Sequence, residues 1–124
     1  MSKHILILMT CSAWHKNMYY ALRLAQAYKN KQHQVSVFFY QDAVSIANQL
    51  NWQTDDQLNL QQQWQNLGID LPVCVSASLT RGISDDENAQ RHHLNQANLA
   101  QGFQLVGLGV LSDLITQADK VLQF

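Results

Sequence analysis

Charge is scarce in this sequence: Asp, Glu, Lys and Arg together make up 14% of its 124 residues. A sparsely charged small chain points to a surface partly covered by a partner, although its many Gln and Asn side chains also keep a surface wet. A basic excess is missing too. Eight Lys and Arg face nine Asp and Glu, for a formal net charge of −1. That is not the electropositive footprint of a nucleic-acid binder, so no direct nucleic-acid contact is expected. Long apolar runs are also lacking. Ile5-Leu6-Ile7-Leu8-Met9 is too short for a signal segment with its flanks, and no other stretch approaches membrane-spanning length. A cytoplasmic protein away from membranes is the expectation. Cysteines number two, Cys11 and Cys74. In a reducing compartment two thiols make neither a structural disulfide nor, by themselves, a zinc site. Their reactivity is the question to ask.

The length fits one domain, residues 1–124, and the hydrophobic share of 47% is that of an ordinary globular chain. Residues 4–10 read as a buried strand. Met18, Ala21, Leu22, Ala25 and Tyr28 then follow the spacing of one helical face, closed by Lys29-Asn30-Lys31. Residues 35–40, β-branched and aromatic, predict a second strand. Asp42 is placed to cap a short helix through Leu50. After a polar loop, Leu60, Trp64 and Leu67 mark a helix ended by Gly68, with Trp64 read as core. Residues 71–76 predict a third strand, with Pro72 near its start. Ser84-Asp85-Asp86-Glu87 reads as a capping box on a polar helix over about 85–94. A short strand at 103–106, a helix striped by Leu108, Leu111, Ile115 and Ala118, and a closing strand at 120–124 complete the chain. Strands alternating with helices predict an α/β fold: a mostly parallel five-stranded sheet with helices on both faces.

Sites in such sheets gather beyond the carboxyl ends of the strands, and two of those ends carry a cysteine. Cys74 has the richer surroundings. It precedes small and hydroxyl residues, among them Ser76, and then Arg81-Gly82. Backbone N–H groups of a turn there can cradle an anion, with Arg81 adding positive potential. Burial as an ordinary core cysteine is the competing reading. A tyrosine-phosphatase loop is disfavoured, because six residues separate Cys74 from Arg81 and none is glycine. A rhodanese-type loop is disfavoured because Arg81 is too distant to close a tight ring. The first loop, Thr10 to Asn17, lacks the glycines of a nucleotide-binding turn, so neither a nucleotide nor a flavin is expected there. Cys11 and His15 form a weak nucleophile–base candidate. His92-His93 cannot both face one metal from a helix, and Asp85, Asp86 and Glu87 suit a helix start rather than catalysis. No metal site is assigned.

Four blocks in order carry a family resemblance over nearly the whole chain. They are Val37-Phe38-Phe39-Tyr40 with Ala47-Asn48-Gln49-Leu50; Val73-Cys74-Val75-Ser76-Ala77-Ser78 with Arg81-Gly82; Gly102-Phe103 with Gly107-Leu108-Gly109; and Ala118 to Phe124. Together they resemble the DsrE/TusD family of sulfur-relay proteins. The resemblance implies a three-layer DsrE-like domain and a sulfurtransferase that carries a persulfide on Cys74 without a cofactor, with Arg81 and Ser76 in support. It implies TusB-like and TusC-like partner subunits in a dimer of heterotrimers, a TusA-like sulfur donor and a TusE-like acceptor. The relay would serve 2-thiolation of tRNA wobble uridine. The alternatives are a DsrE-like carrier in oxidative sulfur metabolism and a non-catalytic interaction subunit. One departure stands out. Where the family carries a Gly-Pro-Tyr-Gly-like first loop, this chain has Cys11-Ser12-Ala13-Trp14-His15, with Trp14 at the aromatic position.

Overall fold

In the computed structural model, which describes residues 1–124, the first apolar run becomes strand β1 (His4–Met9). Helix α1 (Lys16–Asn30) follows and buries Met18, Ala21, Leu22 and Ala25, the stripe expected from the spacing. Strand β2 (Gln34–Phe39) lies parallel to β1 in unbroken register from His4–Gln34 to Met9–Phe39. A 3₁₀ helix (Gln41–Ala47), α2 (Leu60–Gln65), β3 (Leu71–Cys74), α3 (Val75–Thr80) and α4 (Asp86–Arg91) come next. Strand β4 (Phe103–Val106), α5 (Leu108–Gln117) and β5 (Lys120–Gln123) close the chain.

The five strands form one sheet in the order β4-β3-β2-β1-β5, and every pairing is parallel. From β1 to β4 the chain steps across the sheet in one direction, so right-handed crossovers place their helices on one face. The return from β4 to β5 runs the other way and puts α5 on the opposite face. A groove shared by Ser36, Pro72, Gln104, Val110 and Leu114 marks that second face. The first face is the better filled. Trp64 is fully buried there, as expected, its ring edge-on to Phe39 with centroids 5.3 Å apart, and Phe39 in turn meets Phe103 at 5.8 Å. Helix α5 buries no residue fully.

Several boundaries differ from the sequence reading, three of them near the strand ends that matter here or in the nature of the element. The third strand stops at Cys74 rather than Ser76, because Val75–Thr80 winds into α3. The element after β2 is 3₁₀ rather than α. Tyr40 is its N-cap, with Asp42 inside the first turn making no cap bond. Helix α4 is capped by Asp85, whose carboxylate accepts the Asn88 N–H at 2.9 Å, and it ends at Arg91. Ser84 does not cap it. Its N–H donates to Asn98 Oδ1 and its hydroxyl to the Asp85 carbonyl, which ties it to the loop that follows α4.

Candidate functional site

Cys74 is the last residue of β3 and the N-cap of α3 at once. Its backbone is still extended (φ −61°, ψ 121°) and in register with Val106 of β4, and the next residue begins the helix. The thiol therefore stands at the carboxyl end of an inner strand, where the ladder stops and first-turn N–H groups begin. Its side chain accepts none of those N–H bonds, and the residue is 2% exposed. One turn on, Ser78 is fully buried and its hydroxyl has no hydrogen-bond partner. Ser76 is exposed, and its carbonyl accepts the Thr80 hydroxyl.

The far end of α3 explains why the helix stops where it does. Arg81 is the C-cap and Gly82 takes a positive φ of 76°. The Gly82 N–H donates to the Leu79 carbonyl and the Ile83 N–H to the Ser78 carbonyl, the paired bonds of a Schellman ending. The Arg81 guanidinium donates from Nε to Asp42 Oδ1 at 3.1 Å, with Nη2 at 3.1 Å from the same oxygen, and from Nη1 to the Ala77 carbonyl at 3.1 Å. Asp42 lies in the 3₁₀ helix, so this arginine ties α3 to the neighbouring element. Cys74 and Arg81 occupy opposite ends of a six-residue helix, about 9 Å long at 1.5 Å per residue. The sequence reading did not include Asp42 in the site, and its pairing with a residue 39 positions away leaves no local signal.

Cys11 lies in the loop after β1 and is half-buried. Burial pushes its thiol pKa up from the ordinary value, and a backbone hydrogen bond partly offsets this. Its N–H is pinned to the carbonyl of Phe124, just past β5, on the side of β1 away from β3. Because β2 separates β1 from β3, the two strand ends are about 9.5 Å apart at two strand spacings. That strand-end separation exceeds the about 7 Å between Cα atoms that a disulfide allows. His15 does not serve Cys11 either. Its Nδ1 accepts the Asn17 N–H at 3.0 Å and caps α1. His92 and His93 are both exposed past the end of α4, and Glu87 pairs with Arg91 at 2.8 Å on the same helix.

An alignment that covers 84% of the chain shows 44% identity with a protein of Salmonella arizonae named sulfurtransferase TusD, covering 85% of it. A protein of the same name from Pectobacterium atrosepticum also matches at 44%, over 84% of each chain. A sulfurtransferase TusD homolog from Aliivibrio fischeri matches at 40%, again over 84% of each. The crystal structure of the ychN protein from E. coli superposes over the full length of both chains with a TM-score of 0.76 at 21% identity, a likeness of fold. The fold, these relatives and a family match spanning residues 3–124 agree: the chain belongs to the DsrE/DsrF-like family.

Proposed function

We propose that this chain is a sulfurtransferase subunit that accepts sulfane sulfur as a persulfide on Cys74 and hands it to an acceptor protein. The observation that carries this reading is the placement of Cys74 at the break between β3 and α3, in a chain over 40% identical to proteins named sulfurtransferase TusD. The Cys74 thiolate attacks the outer sulfur of a donor persulfide, a new S–S bond forms, and the donor cysteine leaves as thiolate. The acceptor thiolate then attacks the outer sulfur of Cys74–S–SH and Cys74 is released as thiolate. Both steps conserve electrons, and neither needs an added oxidant.

Burial gives this exchange a particular shape. The thiol is covered within the chain itself, whereas the outer sulfur of a persulfide extends about 2 Å beyond Sγ. Loading therefore places the reactive atom one S–S bond beyond a thiol that is itself buried. Arg81 and Ser76 support the site from α3: Arg81 by bracing the helix against Asp42, Ser76 by its exposed place in the first turn. The relay serves 2-thiolation of tRNA wobble uridine in the cytoplasm, with TusB-like and TusC-like subunits in a heterohexamer, a TusA-like donor and a TusE-like acceptor. The apolar side chains that α5 and β5 leave exposed, Leu108, Val110, Ile115 and Val121, are the surface such subunits would cover.

The burial of Cys74 also favours a second reading, a non-catalytic interaction subunit in which this cysteine is core. Incubation with a persulfide donor, with the partner subunits present, followed by non-reducing mass spectrometry separates the two. One added sulfur on the Cys74 peptide supports the carrier; an unmodified peptide supports the interaction subunit.

A further inference from the structure

A cavity of about 350 Å³ opens on a part of the molecule that includes neither Cys74 nor any residue of α3. It lies between the β1–α1 loop and the segment leading into α2. Ala13 and Ile46, both buried, form its base, and Trp14, Tyr19 and Leu58, all exposed, form its rim. Its volume falls at the small end of ligand cavities, which run from about 300 to 1,000 Å³.

The walls are held by their own hydrogen bonds. Asn51 donates to the Ser45 carbonyl at 2.7 Å, Gln61 to the carbonyls of Ile46 and Asn48 at 2.9 Å each, and Gln53 to the Gln57 carbonyl at 3.0 Å. The Ala13 N–H donates to the Ser45 hydroxyl at 2.8 Å and fixes the opposite wall. A polar segment without regular structure is thereby built into a defined shape.

What remains free in the lining has one sign. Lys16 lines the cavity, makes no ion pair, and meets no carboxylate among the lining residues. Asp55 and Asp56 belong to the same segment but not to the lining. His15 accepts on Nδ1, so its neutral ring carries the proton on Nε2 as a free donor. An indole and a phenol stand beside these two groups. Flat rings stack on such side chains, and a lone cation flanked by a donor suits a carboxylate.

We infer that this cavity is a second site, separate from the persulfide cysteine, which binds a small aromatic carboxylate with its ring against Trp14 and Tyr19 and its carboxylate toward Lys16 and His15.

The test titrates 2-naphthoate and its neutral counterpart 2-naphthamide into the full isotope-labelled chain, followed by amide and indole NMR shifts. The expected result is saturable binding of the acid in the high-micromolar to millimolar range usual for so small a ligand. Shifts should centre on Trp14, Lys16 and residues 58–61, and the amide should bind about tenfold more weakly. Lys16→Gln should weaken the acid about tenfold and leave the amide unchanged, whereas Trp14→Ala should weaken both. Sulfur loading of Cys74 should be unaffected in either variant, so failure of this site and failure of the carrier role are read separately. No saturable shift at about 10 mM acid, a range in which even weak ring ligands register, overturns the proposal. So do equal affinities for acid and amide, or shifts centred on α5 and β5, as they would be for an apolar surface awaiting a protein partner.

Discussion

The two thiols of this chain each stand at or just beyond the carboxyl end of a parallel strand, yet the fold treats them differently. Cys74 ends an inner strand and caps the helix that continues from it, so ladder and helix meet at its Cα. Cys11 follows a strand by two residues and continues into a loop, its N–H held by the carbonyl of the chain's last residue. Strand-end position alone therefore does not select a site. What differs between them is the element that receives the chain, a short helix closed by a Schellman ending and braced by Arg81 to Asp42 at one thiol, a loop at the other, and the proposed carrier role rests on that difference.

The largest expected effect comes from Cys74→Ser. It should abolish sulfur acquisition and transfer, while the far-ultraviolet spectrum stays native and stability falls by about 1 kcal/mol for a buried hydroxyl in place of a thiol. If the variant still supported wild-type yields of thiolated product in a reconstituted relay, the contrast between the two thiols would collapse. Gly82→Ala ranks next. An added Cβ there meets no atom within 4 Å, so the cost is the positive φ alone, about 1–2 kcal/mol. A lower thermal midpoint together with slower sulfur transfer would tie the closure of α3 to the site, whereas lost stability with an unchanged transfer rate would uncouple them.

How much of this was legible beforehand depended on whether the signal was local. The α1 stripe, the core role of Trp64, and the five alternating strands all follow from periodicity that neighbouring residues carry, and the structure has them. β3 ends two residues before the sequence places its end. Val75-Ser76-Ala77-Ser78 fits a strand as well as a helix by propensity, and Arg81-Gly82, a basic residue followed by glycine, was the overlooked helix-stop signal. The cap of α4 falls one residue after Ser84 because Ser84 and Asp85 both suit that position and the loop contact with Asn98 claims Ser84. Asp42 could not have been found, since its tie to Arg81 exists only once the 3₁₀ helix and α3 are side by side.

Smaller effects sharpen the comparison. Arg81→Ala removes an ion pair whose side chains are 39% and 70% exposed. Its loss should cost no more than about 1 kcal/mol. A slower transfer rate, reproduced by Asp42→Asn and not compounded in the double variant, identifies the pair as one brace. Additive losses would instead assign Arg81 a separate role. Cys11→Ser should leave transfer unchanged, because β2 and the Phe124 anchor keep its thiol away from Cys74. A loss equal to that of Cys74→Ser would make Cys11 a partner in the chemistry. The smallest effect concerns pH. Burial raises the Cys11 thiol pKa in the folded state, so the stability it contributes is fully present below the unfolded thiol value. That stability is lost as pH rises through the folded value. Denaturant melts of wild type and Cys11→Ser should therefore diverge only in alkaline solution, and a divergence confined to acidic pH contradicts the burial argument.

The central claim is that one of two similarly placed thiols carries sulfur. The most direct measurement is non-reducing mass spectrometry of the chain, together with the proposed TusB-like and TusC-like subunits and incubated with a persulfide donor, reading both cysteine peptides in one digest. The account predicts one added sulfur atom on the Cys74 peptide, removable by a small thiol, and none on the Cys11 peptide. An unmodified Cys74 peptide, or sulfur carried on Cys11 instead, contradicts it.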